Sequence, residues 1–401
     1  AAPDLISLAA GFVDHATLPV EAMARATASV LADPVEGKRA LQYGTTIGDP
    51  HLRKRLVAHL EQDEKVAKGT FAEVLDRTVV TNGSQQLLYL VAEALLDPGD
   101  IVLVESPTYF VFMGVLRSRG ARVIGVATDE GGLRLDALDA TLAKIEAQGE
   151  LNRVKLIYTI SEHSNPTGLS LAADRRKPLV ELAKRWSSEH RIFILEDSAY
   201  RGLTYEGTEP PSVWRHDPDG QTVILARTFS KTFSPGLRTG YGILPEALVA
   251  PVVNLKGNHD FGSSHFNQQV IERLIAEGDY ARQVDRLRTT YRRKRDIFLE
   301  ALDAHLSPLG EGISWTRPNG GLYVWLTLPD GIDTGRNGPL FARCLEHGVL
   351  YVPGAHAFAD EPAPAPKNHA RLTFGVTGEA GLAEGARRLA SALAECLEPV
   401  A

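Results

Sequence analysis

A lysine that directly follows an apolar, strand-like run sits where an amine can be made nucleophilic. Lys231 holds such a position, in the stretch 229–241, Phe-Ser-Lys-Thr-Phe-Ser-Pro-Gly-Leu-Arg-Thr-Gly-Tyr. Burial disfavours the ammonium form, and the free amine attacks carbonyl carbon. A solvated loop lysine is the plain alternative for one lysine alone. Its neighbours shift the balance: Thr228 and Ser230 bring hydroxyls and Arg238 a guanidinium, a set suited to a phosphate. A second anion site is readable at 82–85, Asn-Gly-Ser-Gln, which opens a helical stretch and contains Gly83, Ser84 and Gln85. Free N–H groups and the positive end of the helix dipole favour an anion there, the alternative being a simple cap by Ser84. Asp197 directly follows another apolar run, where a carboxylate must find a partner or cap the next helix. Tyr109 and Asn165 follow two further runs and by type alone could be core packing and loop punctuation.

These residues need elements that carry them to one place. The middle of the chain repeats a short apolar run, a polar or Gly/Pro turn, and a helical stretch. The runs fall at 78–81, 101–105, 122–126, 154–160, 192–196, 222–226 and 240–244. Several are rich in Val and Ile and apolar almost throughout, as suits strands buried on both faces of a largely parallel sheet. Between them, segments such as 84–96 and 174–190 carry apolar residues at helical spacing. The alternation predicts an α/β fold, a mostly parallel sheet with helices on both faces, with ligands bound beyond the carboxyl ends of the strands. From about Phe261 the texture changes. A charged amphipathic stretch at 281–305 predicts a connecting helix; a strand at 321–328, a helix at 339–347, a strand at 371–374 and a closing helix from Glu379 follow. The prediction is a large domain over 45–270 and a smaller α+β domain over 271–401. The segment 1–44, with a helix near 21–31, is expected to pack with the smaller one.

Composition narrows the class. A chain of 401 residues, 44% hydrophobic and 23% charged, suits a globular protein of two domains rather than a disordered one. A net charge of -7, mixed along the sequence, leaves no basic footprint for nucleic acid. Cys344 and Cys396 lack metal-ligand spacing and read as inert thiols in a reducing compartment; no metal site is expected. No apolar run approaches a membrane span, and residues 1–10 lack the charged and apolar regions of a secretory leader, so a cytoplasmic protein is expected. No Gly-x-Gly-x-x-Gly follows an early strand, which sets aside a dinucleotide fold. The stretch 361–366 reads as a surface loop.

The stretch around Lys231 resembles the lysine motif of the fold-type I pyridoxal-phosphate enzymes, specifically the class I/II aminotransferases and within them the 2-aminoadipate/kynurenine type. Their pattern is Ser-x-Ser-Lys followed by Pro-Gly-x-Arg-x-Gly; here Thr228 stands at the first Ser and keeps the hydroxyl. The resemblance runs in order from about Gly11 to the C-terminus. It implies that Lys231 holds pyridoxal 5'-phosphate as a Schiff base. Gly83, Ser84 and Gln85, with Thr228, Ser230 and Arg238, would hold the phosphate. Tyr109 would stack on the pyridine ring, Asn165 and Tyr200 would share the phenolic oxygen, and Asp197 would pair with the ring nitrogen. Arg371 matches the arginine that clamps the substrate carboxylate, with Asn165 and Gly11 beside the substrate; read alone, it would be a surface ion-pair residue. Tyr43 matches a tyrosine that reaches the cofactor of a neighbouring subunit, which implies a homodimer.

The reaction so implied moves an amino group between an α-amino acid and a 2-oxo acid, with 2-oxoglutarate as the expected partner. Lys231 would act as the proton carrier, with Asp197 and Tyr200 in catalytic support. Another pyridoxal-phosphate reaction on the same scaffold stays open: β/γ-elimination, decarboxylation or a cyclising synthase, since these motifs bind the cofactor and do not choose the reaction. A regulatory ligand-binding domain is the third reading; it would need an N-terminal winged helix, and this sequence begins almost at the cofactor domain. Glu162-His-Ser164 departs from the family pattern, which often has Gln before the Asn. The departure reads as a substrate-facing or more remote difference, with His163 as a loop histidine or a functional one. Residues 12–18, Gln42 and Phe261 are expected near the substrate side chain, and the Asn319-Gly-Gly321 turn and Pro353-Gly354 with Phe358 also follow the family style. They point to a mid-sized substrate, 2-aminoadipate-like, branched or aromatic.

Overall fold

Alternate residues of each apolar run go to opposite sides of one sheet. In the computed structural model, which describes residues 5–188 and 190–397, Ile101, Leu103, Ile194, Val223 and Leu225 join one buried core. Val102, Val104, Leu195, Ile224 and Ala226 join another. Strand side chains alternate with period two, so a run apolar at every position has to be covered on both faces. One cover consists of helices such as Pro50–Asp63, Leu135–Ala147, Ala173–Trp186 and His265–Ala276. The other consists of Gly83–Leu95, Phe110–Ser118 and Glu246–Asp260. The ends of the predicted bodies at 1–4 and 398–401, and part of the leader reading at 1–10, lie outside the described residues.

The chain opens with a two-residue strand, β1 (Ile6–Ser7). The sheet strands follow: β2 (Thr78–Thr81), β3 (Ile101–Ser106), β4 (Arg122–Asp129), β5 (Gly132–Leu133), β6 (Val154–Ile160), β7 (Phe193–Asp197), β8 (Val223–Thr228) and β9 (Gly240–Ile243). Their order is β2-β9-β8-β7-β6-β3-β4-β5. The pairs along β4-β3-β6-β7-β8 are parallel, while β9 runs antiparallel to both β2 and β8. The sheet is therefore mostly parallel, and the carboxyl ends of β2, β3, β6, β7 and β8 share one edge with the start of β9. Two strands run further than the apolar pattern: β7 takes in Asp197 and β8 reaches Thr228. Backbone pairing extends them, Asp197 lying opposite Ile160 and Ala226, and Thr228 opposite Gly240. The helix expected over 174–190 stops at Trp186, where the Ser187 hydroxyl bonds back to the Ala183 carbonyl.

The remaining strands are β10 (Ser314–Trp315), β11 (Tyr323–Thr327), β12 (Val349–Leu350), β13 (Val352–Pro353) and β14 (His369–Thr373). An antiparallel sheet ordered β10-β11-β14-β13 packs with the helices Pro339–Glu346 and Glu379–Leu397 around a separate core. The helix Asp279–Leu306 links the two bodies: Tyr280 and Val284 enter the sheet's core, while Leu287, Tyr291 and Phe298 enter the small one. The first forty residues divide between them. β1 pairs with β12 and Leu8 joins the small core, whereas Ala26 and Val30 of the helix Val20–Ala32 join the large one.

One contact fixes how the helix Gly83–Leu95 meets the sheet edge. A methyl group on Gly240 would come within 2.7 Å of the Gly83 carbonyl carbon, the Ser84 nitrogen and the Arg227 oxygen. All three are backbone atoms and cannot swing aside. Gly240→Ala is expected to lower stability by about 1–3 kcal/mol and to weaken phosphate binding at the same turn. Denaturant melts and a phosphate titration check this; an unchanged melt would contradict the packing described.

Candidate active site

The residues assigned above to the reaction, the cofactor and the substrate carboxylate, with the exception of Tyr43, line a single cleft of about 420 Å³. Gly83, Ser84 and Gln85 come from the turn after β2, Tyr109 from the loop after β3 and Asn165 from the loop after β6. Asp197 ends β7 and Tyr200 lies in the turn beyond it, and Thr228, Ser230, Lys231 and Arg238 come from β8 and the loop beyond it. Gly11 arrives from the N-terminal segment and Arg371 from β14, so both bodies contribute walls.

At one end the groups suit an anion. Gly83 adopts a left-handed φ of 72° and begins its helix. Asn82 takes the cap position without a side-chain bond to the helix, its amide donating to Asp260 instead; Ser84 is not the cap, since the helix already begins at Gly83. Thr228 Oγ1 lies 3.0 Å from Ser230 Oγ, and Arg238 reaches the Asn82 carbonyl at 3.3 Å and Ser230 Oγ at 3.5 Å. Arg238 is itself held in the left-handed region, at φ 47°, which only a tight local fold sustains in a side chain of that size. Hydroxyls, a guanidinium and a helix N-terminus thus converge on one spot.

In the floor lies a carboxylate that is half satisfied. Asp197 Oδ2 accepts a 2.9 Å hydrogen bond from the Tyr158 hydroxyl, whereas Oδ1 is buried without a hydrogen-bond partner among the described residues. Burial pushes the Asp197 carboxyl up to about 6, against the pull of the Tyr158 hydroxyl and the Ala199 N–H. A buried, unpaired carboxylate oxygen is costly unless a cationic donor meets it. Lys231 Nζ donates to the Gly11 carbonyl at 2.7 Å. Tyr109 donates to Gln85 Oε1 at 3.4 Å, and its phenol is kept protonated by burial. The Tyr200 hydroxyl donates to that of Tyr323 at 3.2 Å, and burial with the adjacent phenol holds Tyr200 well above its ordinary range.

On the opposite wall Arg371 is 5% exposed, which overturns a surface ion pair as its reading. Its guanidinium donates to Asn165 Oδ1 at 2.9 Å and to the Ala9 carbonyl at 2.7 Å, and lies 4.7 Å from the Tyr323 ring centroid and 5.5 Å from that of Phe110. Its Nε has no hydrogen-bond partner among the described residues. Such a fork accepts a carboxylate. Tyr43 stands apart. It is 80% exposed and packs edge-on against Phe261, and neither residue lines the cleft. Gln42 is also absent from the lining, and of residues 12–18 only Phe12 belongs to it.

Glu162, His163 and Ser164 lie outside the cleft. Burial works against the Glu162 charge, but Arg176, Arg201 and Arg227 outweigh it and hold its carboxyl below the ordinary range; Arg176 and Arg201 bond to it at 2.9 and 3.0 Å. His163 bonds to Thr204 at 2.8 Å, and burial pushes its imidazole down to about 4, so it stays neutral. The departure from the family pattern is therefore a buried ionic brace rather than a substrate contact. Sequence reasoning missed Phe110, Val111 and Tyr323 in the lining and Tyr158 behind it. Tyr323 was within reach, two residues beyond the Gly-Gly turn and in a recognised strand; Tyr158 sat inside an apolar run and carried no local signal.

Pyridoxal phosphate can be tested against this cleft by its chemistry. It needs an anion cradle, an amine for its aldehyde and an acid for its ring nitrogen. The cradle of Gly83, Ser84, Thr228, Ser230 and Arg238, the Lys231 amine and the unmet Oδ1 of Asp197 provide all three. The family model for aminotransferase class I and II matches residues 3–389. Aromatic-amino-acid aminotransferase 1 of Thermococcus litoralis is 33% identical over 394 residues, covering 98% of this chain and 88% of its own. The 2-aminoadipate transaminase of Thermus thermophilus is 33% identical over 394 residues, covering 98% and 90%. In three dimensions, Pyrococcus horikoshii kynurenine aminotransferase, solved in complex with PMP, is similar with a TM-score of 0.90 and 32% identity, over 99% of this chain and 92% of that one. Among the described residues no helix is long and apolar enough to cross a membrane. The fold, the cleft and these likenesses converge on one conclusion: the chain belongs to the class I and II aminotransferases of fold type I and is a pyridoxal-phosphate-dependent enzyme of amino-group transfer.

Proposed function

We propose that the cleft transfers the amino group of a mid-sized α-amino acid to a 2-oxo acid, with 2-oxoglutarate as acceptor, and that each lining residue has the role its chemistry suits. The observation that carries this reading is the buried, unpartnered Oδ1 of Asp197, in the same cleft as the Lys231 amine and the Arg371 fork. When bound, pyridoxal phosphate supplies an aldehyde that condenses with amines and a ring that withdraws electrons from the adjacent carbon. Asp197 accepts the hydrogen bond of the ring nitrogen and keeps it protonated. Lys231 Nζ would bind the aldehyde and, as a free amine, would move the proton of the substrate's α-carbon. Arg371 holds the α-carboxylate, its own orientation set by Asn165 and the Ala9 carbonyl. Asn165 and Tyr200 would bind the phenolic oxygen, Tyr109 would cover the ring, and Gly11 would border the substrate.

In this reading the sheet body over 45–270 holds the cofactor and the body over 271–401 brings the clamp, with 1–44 contributing to both. The exposed Tyr43–Phe261 pair supports a homodimer in which Tyr43 serves the partner's phosphate site. Two free cysteines, one buried, suit a cytoplasmic setting.

Mixing the loaded enzyme with single amino acids should convert its cofactor to the pyridoxamine form, and a 2-oxo acid should restore it. Loss of the α-carboxyl as carbon dioxide, or of a side-chain group, would point to another reaction. Lys231→Ala should abolish turnover, and ordinary activity in that variant would sink the assignment. Gel filtration should give an active dimer, and Tyr43→Phe should weaken cofactor retention several-fold; an active monomer contradicts the shared site.

The raised Asp197 value carries a pH signature. Its folded value lies above that of an unfolded carboxyl, so its stabilising contribution is full below about pH 4 and is lost as pH rises through about 6. Apoprotein should therefore lose thermal stability relative to Asp197→Asn between pH 5 and pH 7.5, and pyridoxal phosphate should reverse the loss. A difference that stays constant across this range would show that Asp197 does not titrate there.

A further inference from the structure

The lining of the cleft leaves open what keeps Asp197 turned with one oxygen free. Asp197 pairs with Ile160 of β6, and Tyr158 sits two residues earlier on that strand. Residues two apart point to the same face, so Tyr158 is the diagonal neighbour of Asp197, within reach of a long side chain. Its ring is wholly buried and packs 4.5 Å from that of Phe112, outside the cleft. Its hydroxyl ends 2.9 Å from Asp197 Oδ2 and donates there.

We propose that Tyr158 is a positioning residue for the reaction: by holding Oδ2 it fixes the carboxylate and leaves Oδ1 free for the cofactor's ring nitrogen. This rests on the pairing proposed above for Asp197. The geometry allows little else. A buried phenol needs a hydrogen-bond partner, and an ionised carboxylate only accepts. Tyr158 therefore donates, and occupies Oδ2. The same bond favours the ionised form. Burial, Glu162 and Glu196 push Asp197 toward protonation, and the Tyr158 hydroxyl opposes them more strongly than the Ala199 N–H does. A protonated Asp197 cannot keep a proton on the ring nitrogen. The phenylalanine variant keeps the ring packed on Phe112 and removes only the hydroxyl.

The test uses holoenzyme loaded with pyridoxal phosphate carrying ¹⁵N in the ring, whose shift reports the proton on that nitrogen. Asp197→Ala marks the unprotonated limit. Tyr158→Phe should move the resonance toward that limit at pH 7.5 and lower kcat on the order of tenfold, as about 1.4 kcal/mol less stabilisation of the ring-nitrogen proton gives, with KM changed less than twofold. Phe112→Leu, which disturbs the packing and spares the hydroxyl, should leave the shift in place. A Tyr158→Phe resonance at the wild-type position overturns the inference. If Asp197→Ala itself leaves the shift unchanged, the Asp197 pairing fails instead. Should Tyr158→Phe not fold, a crystal structure of wild-type holoenzyme decides: Tyr158 on one oxygen and the ring nitrogen on the other supports the proposal. Tyr158 turned away, or both on one oxygen, refutes it.

Discussion

A carboxylate at the end of a buried strand, with one oxygen bonded and the other not, constrains this molecule more than any other single group. Taking Asp197 out of water is expensive, and its one side-chain donor leaves much of the cost unmet. Protein interiors rarely tolerate such a group without a partner to come. The fold around it makes sense as a means of keeping that oxygen dry, oriented and open to one cleft. The parallel strands bring their carboxyl ends to a common edge, and the antiparallel β9 brings Gly240 back to the same edge, where its missing side chain lets the Gly83 turn approach.

The second body supplies what the sheet cannot. Arg371 enters on β14, braced by Asn165 from the sheet side and by the N-terminal Ala9 carbonyl, so its position depends on three separate stretches of chain. Guanidinium planarity matters here, because a fork aimed at a carboxylate loses its function if it rotates. Tyr323 joins the bodies further: its ring lies against the guanidinium and its hydroxyl meets that of Tyr200. The long helix Asp279–Leu306, rooted in both cores, holds the relation between them.

Much of this was legible in the sequence, because each motif follows an apolar run and strand ends are where such sheets bind ligands. Lys231, Asp197, Asn165 and the Gly83 turn could be found that way, and the cleft unites them. What could not be read has physical causes. Tyr158 is a polar tip on an apolar body inside a strand, indistinguishable from core until the register shows its diagonal neighbour. Arg371 was placed only through the family resemblance; read alone it looked like a surface ion-pair residue, because burial of a charge depends on packing from distant segments. Ser84 resembled a cap, but the helix already begins at the left-handed Gly83. The Glu162 brace needs Arg176 and Arg201, 14 and 39 positions away, and no local pattern links them.

The account turns on a cation meeting Asp197 Oδ1, and a calorimetric titration of apoprotein tests this most directly. Pyridoxal phosphate would be compared with an analogue in which the ring nitrogen is replaced by CH. A charged hydrogen bond of about 1.5–3 kcal/mol predicts that the natural cofactor binds at least about tenfold tighter, and that Asp197→Asn removes most of the difference. Equal affinities for the two compounds in the wild-type protein would contradict the account.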